Sequence, residues 1–262
     1  MRKCLFGLLA GASLTSAMAQ FATGVVSYEA GTGAASGFNL PGSALGEPSR
    51  FTNHQFGGPV DPFNPPFLAE QIVSIGAGGS LTLQFADPIR NDPAHPFGLD
   101  FIVYGNAGFI FSDFEAGKTS GQLFGAADSG STRISVSADN VTYFTLDMTL
   151  APTADRYFPT DGAGVFGAPV DPSLASAGAF SDATLTGIRN LYAGSAGGAG
   201  FDLSWARDGG GSSISLDEVQ FIRIDVLSGA AEIDGIAAVP EPRISALLIA
   251  GGLAILTWKR RS

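Results

Sequence analysis

The sequence predicts an all-β protein, an antiparallel β-sandwich or jelly roll with long loops and at most one or two short helices. Short runs of alternating apolar and polar residues recur along the interior of the chain. The 36 glycines and 15 prolines fall mostly between these runs, where turns need them. Helical periodicity is weak throughout, so many short strands joined by turns are the expected architecture.

Eight segments carry the strand pattern, and one of them is continuously apolar. Residues 99–104 (LDFIVY) lack a polar face, which is typical of a central strand. The stretch RISVSADNVTYFTL predicts a hairpin that turns at Asp139 and Asn140. The predicted strands are 25–28, 72–75, 80–85, 99–104, 133–137, 143–146, 221–226 and 233–239. Their predicted core residues are Leu81, Leu83, Phe101, Val103, Ile134, Val136, Ile222 and Ile224.

One helix and two long loops complete the interior. Leu185, Ile188 and Leu191 are spaced by threes, with Asp182 as a predicted cap and Gly194 just beyond. Residues 51–68 and 109–127 are expected to be loops. Loops of this length in a folded domain often carry function, although they can also simply cover a sheet.

The first 19 residues predict a secretory signal peptide. Arg2 and Lys3 precede a short apolar run, and Ala17-Met18-Ala19 is a small-x-small cleavage site for signal peptidase. Cleavage after Ala19 leaves residues 20–238 as the predicted domain. Cys4 is the single cysteine and leaves with the signal, so no disulfide framework is expected.

Residues 239–262 have three parts in a fixed order. Val239-Pro240-Glu241-Pro242 is followed by an apolar run over 244–258 and then by Lys259, Arg260 and Arg261. A helix over the run is roughly 22 Å long, and basic side chains at both of its ends extend that reach towards the ~30 Å membrane core. The basic end is expected to stay cytoplasmic. Two prolines stop the last strand and are expected to hold an exposed segment between domain and membrane.

This arrangement resembles the PEP-CTERM sorting signal of exported bacterial proteins. The resemblance rests on the Pro-Glu-Pro motif, the short apolar helix and the basic tail, in that order. It implies secretion through the inner membrane of a Gram-negative bacterium and transient anchoring there. It further implies processing near Pro240–Pro242 by an exosortase, and a final place at the cell surface or in an exopolysaccharide-rich matrix.

The interior is strongly acidic. Residues 20–242 contain 8 of the 14 basic and all 24 of the acidic residues, so their formal net charge is 8 − 24 = −16. Such a surface argues against nucleic acid as a partner, because phosphates require basic patches. It is compatible with cations and neutral polymers, and it also keeps an exported domain soluble.

The domain also resembles the galactose-binding-like, or discoidin-type, jelly roll. The similar stretches are ALGEP (44–48), GGSLTLQFADPI (78–89), LDFIVYGNA (99–107), ISVSADN (134–140) and the closing FIRIDVL and AEIDGIAAV. The resemblance implies a domain that binds glycans at its loop ends and often holds a structural Ca²⁺ between an early loop and the last strand. Mapped onto this chain, that ion would lie near Glu47, Glu232 and Asp234.

Catalytic motifs are weak in this sequence. His54 and His95 are expected to be ordinary loop residues, and no serine lies in a Gly-x-Ser-x-Gly setting. Oxygen ligands for Ca²⁺ are abundant in loops, with Asp61, Asn64, Asp87, Asn91, Asp92 and Asp100 joining the three above. Solvated acidic turns are the alternative interpretation. The sequence favours a non-catalytic glycan-binding or structural protein over an extracellular glycan hydrolase, whose two carboxylates cannot be placed from sequence.

Overall fold

Two antiparallel sheets share one hydrophobic core in the computed structural model. The six strands of the larger sheet lie side by side in the order 22–29, 80–90, 218–226, 132–137, 144–146 and 206–207. The four strands of the smaller sheet have the order 199–201, 101–105, 230–238 and 73–76. Two further two-stranded ladders, 51–52 with 58–59 and 109–113 with 118–123, lie outside these sheets. The predicted all-β antiparallel architecture is therefore confirmed.

The structure describes residues 19–124, 130–155, 157–176 and 178–241. Ala19–Glu241 form a compact unit. The predicted signal sequence up to residue 18, the apolar run 244–258 and the basic tail lie outside the described residues. Among the residues that are described, no helix is both long and apolar enough to cross a membrane.

The first seven strands lie between residues 22 and 113. They are β1 (Ala22–Glu29), β2 (Phe51–Thr52), β3 (Gly58–Pro59), β4 (Val73–Gly76), β5 (Ser80–Arg90), β6 (Phe101–Gly105) and β7 (Phe109–Asp113). The other seven are β8 (Lys118–Leu123), β9 (Thr132–Ser137), β10 (Phe144–Leu146), β11 (Ala199–Phe201), β12 (Ala206–Arg207), β13 (Glu218–Val226) and β14 (Ala230–Ala238). Each of the eight predicted strand segments overlaps one of these strands.

The core lies between the two sheets. All eight predicted core residues are buried, none of them more than 2% exposed. Leu81 and Ile224 come from the six-stranded sheet and Phe101 and Ile233 from the four-stranded sheet, yet they belong to one cluster. Alternating side chains of the two facing sheets therefore meet, as in a β-sandwich.

The four-stranded sheet is covered on its other face as well. Ile102 and Tyr104 of β6 point away from the main core and pack with Phe166, Ala196 and Val239. This double burial explains why β6 is apolar at every position, as the sequence predicted for a central strand. Its neighbours are β11 and β14.

The single described α-helix, α1 (Leu185–Tyr192), lies where the sequence places it, but its predicted cap is wrong. Thr184 is extended and its side chain accepts a hydrogen bond from the Gly187 N–H, whereas Asp182 has a left-handed backbone (φ 58°). The Asp182 N–H pairs with the Thr119 carbonyl of β8, 2.8 Å away. A tertiary backbone contact therefore displaces the start of the helix to Thr184.

The two predicted long loops are partly ordered as strands. Residues 51–68 include the short ladder β2-β3, and residues 109–124 form the hairpin β7-β8. The predicted hairpin at 133–146 is confirmed, with Phe144 opposite Val136. Its turn is fixed by the Asp139 carboxylate, which accepts N–H groups of Val141 and Thr142 and thereby has its pKa lowered.

Candidate functional site

A tight turn between β5 and β6 buries His95 against Asp100. The His95 N–H closes the turn on the Asp92 carbonyl at 2.9 Å, and Pro96 begins the following 3-10 turn. The His95 side chain is 1% exposed and its Nδ1 lies 2.8 Å from Asp100 Oδ1. The expectation that His95 is an ordinary loop residue is therefore wrong, whereas His54 does lie in an exposed loop.

Asp100 connects this turn to both flanking strands. Its Oδ1 also accepts the Asp92 N–H at 3.1 Å, and its Oδ2 accepts the Leu203 N–H at 2.8 Å. Burial raises the pKa of Asp100, while these amide donors and His95 oppose that shift. Because both carboxylate oxygens already accept backbone N–H groups, the fit is best when the imidazole donates from Nδ1.

A ring that donates from Nδ1 presents a lone pair at Nε2. This His95 Nε2 atom is buried and has no hydrogen-bond partner among the residues that the structure describes. The Glu241 carboxylate lies 3.8 Å away. Two acceptors that face each other need a proton or a cation between them.

The end of β14 carries Glu241 to this place. The Val239 N–H donates to the Asp100 carbonyl at 2.9 Å, and Val239 is only 5% exposed. Pro240 is half-buried, and the Glu241 side chain is 47% exposed. Val239 therefore packs against the sheet, as expected for the end of the last strand, and exposure of this segment starts at Glu241.

The first described residues lie beside this segment. The Ala238 N–H donates to the Gln20 carbonyl at 2.8 Å, and Phe21 forms a bridge with Ala237. Ala19, the predicted cleavage residue, packs on the cluster around Phe166. The predicted start of the mature chain therefore pairs directly with the end of the last strand.

Three side chains of the described residues converge as potential metal ligands. One ligand atom each from Asp92, His95 and Glu241 lies within 4.8 Å of the other two. Asp92 Oδ1 also accepts the Ala94 N–H at 2.8 Å, which orients its carboxylate. The sequence marked Asp92 and Asp100 as oxygen ligands but missed His95 and Glu241; a histidine three residues after an aspartate was the available signal.

The carboxylates predicted to hold calcium have separate partners. Glu47 pairs with Arg50 at 2.6 Å, Glu232 accepts from the side-chain amide of Asn106, and Asp234 accepts from Ser49 N and Oγ, both at 2.8 Å. Burial raises the pKa of Asp234 to about 7. Calcium there stays a prediction, and equal melting temperatures in Ca²⁺ and in chelator would contradict it.

The other predicted oxygen ligands serve the local backbone or face solvent. Asp61 Oδ1 accepts the N–H groups of Phe63 and Asn64, and the Asn64 side chain donates to the Pro59 carbonyl. The Asn91 side chain donates to the Leu216 carbonyl at 2.9 Å. Asp87 is exposed on β5. Asp61 and Asn64 therefore stabilise the turn in which they lie, whereas Asn91 links β5 to the segment before β13.

The two long loops meet in an aromatic surface formed by Phe63, Ile110, Phe111 and Phe114. The Phe63 and Phe111 rings stack with centroids 4.4 Å apart, and Phe114 meets Phe111 edge-on at 5.1 Å. Phe114 is 78% exposed, and Ile110 and Phe111 are also exposed. Sequence reasoning missed this surface because its rings come from segments about 50 residues apart.

Two recesses are formed by described residues of the domain. One, of about 320 Å³, is lined by Phe109, Leu123, Tyr157, Phe158, Leu174 and Phe180, among others. The other, of about 400 Å³, contains Asp147, Arg207 and Asp208. Hydrogen bonds from Thr149 lower the pKa of Asp147.

No protein-family model matches this chain, and no curated protein proved similar to it. The geometry of the site and the sequence motifs therefore carry the functional argument.

Proposed function

We propose that this protein is an exported cell-surface or matrix protein that an exosortase releases from the inner membrane. The observation that carries the proposal is the order of Pro-Glu-Pro motif, apolar run and basic tail in residues 239–262. Signal peptidase would produce a chain that starts at Gln20. The proposal is supported by the position of the motif, which follows β14 directly and becomes exposed at Glu241.

The folded part is proposed to be a non-catalytic module of the galactose-binding-like jelly-roll type. Two antiparallel sheets with a shared core are consistent with that fold. Long loops that meet at one place provide a surface for a ligand, as they do in many β-sandwiches.

The proposed ligand is an uncharged polysaccharide that lies on the aromatic surface. Exposed rings offer flat apolar faces on which the C–H faces of sugars can pack. The net charge of −16 over residues 20–242 disfavours anionic polymers, because like charges repel. A matrix of exopolysaccharide is the setting that the sorting motif implies.

Intact-mass analysis of the surface-released protein tests the sorting proposal. We expect a species that starts at Gln20 and ends near Pro240–Pro242. Deletion of the exosortase should leave the carboxy-terminal segment attached. A mature, released species that still carries Trp258 would contradict release by processing.

A glycan-array screen tests the binding proposal separately. Phe114→Ala removes an exposed ring and is expected to weaken binding of neutral glycans about tenfold without loss of stability. Phe97→Ala is the matched control, since Phe97 is 54% exposed and lies outside the aromatic surface. Equal loss of binding in both variants, or no binding by the unmodified protein, would contradict the proposal.

A further inference from the structure

We infer that Asp92, His95 and Glu241 form a binding site for a divalent transition-metal ion, of which Zn²⁺ is the test case. The ligand atoms are one imidazole nitrogen and two carboxylate oxygens, a set that Zn²⁺ accepts. The inference concerns the chain before processing near Pro240–Pro242, because cleavage ahead of Glu241 would remove one of the three ligands.

The buried histidine is the strongest argument for this site. His95 Nε2 is unpartnered although its side chain is 99% buried, and a buried polar atom without a partner is costly. The atom points to Glu241 Oε2, 3.8 Å away. A cation between them would pair the nitrogen lone pair and the carboxylate charge at once.

Asp100 supplies the supporting interaction that metal-binding histidines usually have. It lies 2.8 Å from His95 Nδ1, which fixes the ring and leaves Nε2 as the ligand atom. The same carboxylate accepts the Asp92 N–H, so one buried group positions two of the three ligands. This arrangement distinguishes the site from the acidic turns elsewhere on the surface.

Only a small movement closes the site around an ion. Tetrahedral bonds of ~2.1 Å place neighbouring ligand atoms about 3.4 Å apart. The three ligand atoms now lie within 4.8 Å of one another, so side-chain shifts of about 1.4 Å or less would bring them to that spacing. Water would occupy the remaining coordination positions.

Bound metal would fasten the segment before Pro242 to the domain. Glu241 follows Val239, whose N–H donates to the Asp100 carbonyl. The ion would therefore link the turn at 92–95 with the end of β14. The class of ligand is a borderline divalent cation, with Zn²⁺ preferred over Ca²⁺ because imidazole nitrogen is a poor ligand for Ca²⁺.

The test is a Zn²⁺ titration of the full chain in detergent after treatment with chelator. We expect one ion per chain by calorimetry, and Glu241→Gln is expected to weaken binding at least tenfold. Glu241 is exposed, so this variant should fold even where His95→Ala does not. Glu218→Gln, another exposed acid, and His54→Ala, the other histidine, serve as controls and should bind as the unmodified chain does.

A second readout follows the backbone rather than the ion. Zn²⁺ should slow hydrogen exchange in a peptide covering 236–241, and Glu241→Gln should abolish that slowing. Absence of Zn²⁺ binding at millimolar concentration would overturn the site. Binding that is lost in His54→Ala but unchanged in Glu241→Gln would also overturn it.

Discussion

The buried carboxylate in the middle of β14 and the one beside its end have different hydrogen-bond partners. Asp234 in the middle has both oxygens satisfied by one residue, Ser49. Asp100, beside the end of the strand, holds two backbone amides and a histidine whose other nitrogen is open. A closed network stabilises the fold, whereas a buried nitrogen without a partner is costly unless a water molecule or an ion binds to it. Asp234 is therefore a structural acid, whereas Asp100 supports a candidate site.

Truncation of the two carboxylates gives the largest expected effect. Asp100→Ala leaves three donors without a partner, and at ~1–3 kcal/mol each the loss in the free energy of unfolding is about 3–9 kcal/mol. Asp234→Ala leaves only the two donors of Ser49 without a partner. It also removes a desolvated acid, so the expected loss in the free energy of unfolding is about 1–3 kcal/mol. Urea denaturation at pH 7 measures both. A larger loss at Asp234 would reverse the comparison.

The pH dependence of stability gives the next effect, and its sign is fixed. Burial raises the pKa of Asp234 to about 7 in the folded state, above its ordinary value of 3.8, so the folded protein binds more protons between these values. Stability from this group is present near pH 4 and is lost as the pH rises through 7. The full difference is at most about 4 kcal/mol, because a pKa difference of one costs about 1.4 kcal/mol.

Asp234→Asn isolates that contribution. Its stability should fall less than that of the unmodified protein between pH 4.5 and 7.5, and the difference belongs to Asp234 even though burial also raises the pKa of Asp100. Denaturant midpoints at a series of pH values supply the measurement. Parallel pH profiles for the two proteins would show that burial does not raise the pKa of Asp234.

The sequence predicted the sheets better than it predicted the site, and there is a physical reason. Strand alternation is a local property, so Leu81, Leu83, Ile222 and Ile224 could be assigned to the core from their spacing alone. The network at Asp100 depends on β6 lying beside β11 and β14, which brings Leu203 and Val239 to it across more than 100 residues. Such pairing leaves no local pattern.

The error in the helix cap has the same origin. Asp182 and Thr184 are both acceptable helix caps by residue type, and only the backbone contact with Thr119 decides between them. The burial of Val239 against Phe166 likewise comes from a contact between segments far apart in the chain.

A substitution at Gly167 tests how firmly the end of β14 is held. Gly167 has φ +85°, and an added Cβ would lie 2.5 Å from Ala19 Cβ and 2.9 Å from the Ala238 carbonyl oxygen. Gly167→Ala is expected to cost about 2–3 kcal/mol, from backbone strain and this clash together. Gly211→Ala is the control, since Gly211 has φ +84° and no neighbour within 4 Å. It should cost only the strain of ~1–2 kcal/mol. Equal losses of stability in the two variants, measured by thermal denaturation, would mean that Ala19 and Ala238 move aside without cost.

Tyr104 gives the smallest effect and the finest distinction between a closed and an open network. Its hydroxyl accepts the Gly167 N–H at 3.0 Å, and burial raises the pKa of this tyrosine. Tyr104→Phe keeps the edge-on ring contact with Phe166 and leaves one amide without an acceptor, so the free energy of unfolding should fall by about 1 kcal/mol.

If the end of β14 opens as a separate unit, the loss should appear as faster hydrogen exchange at 166–168 and 236–241, with the melting temperature nearly unchanged. If it opens only with the whole fold, the melting temperature should fall by a few degrees and exchange at 236–241 should rise no more than exchange in β13. The second result would make the end of β14 as cooperative as its middle, and the difference between Asp100 and Asp234 would then lie in the open nitrogen of His95 alone.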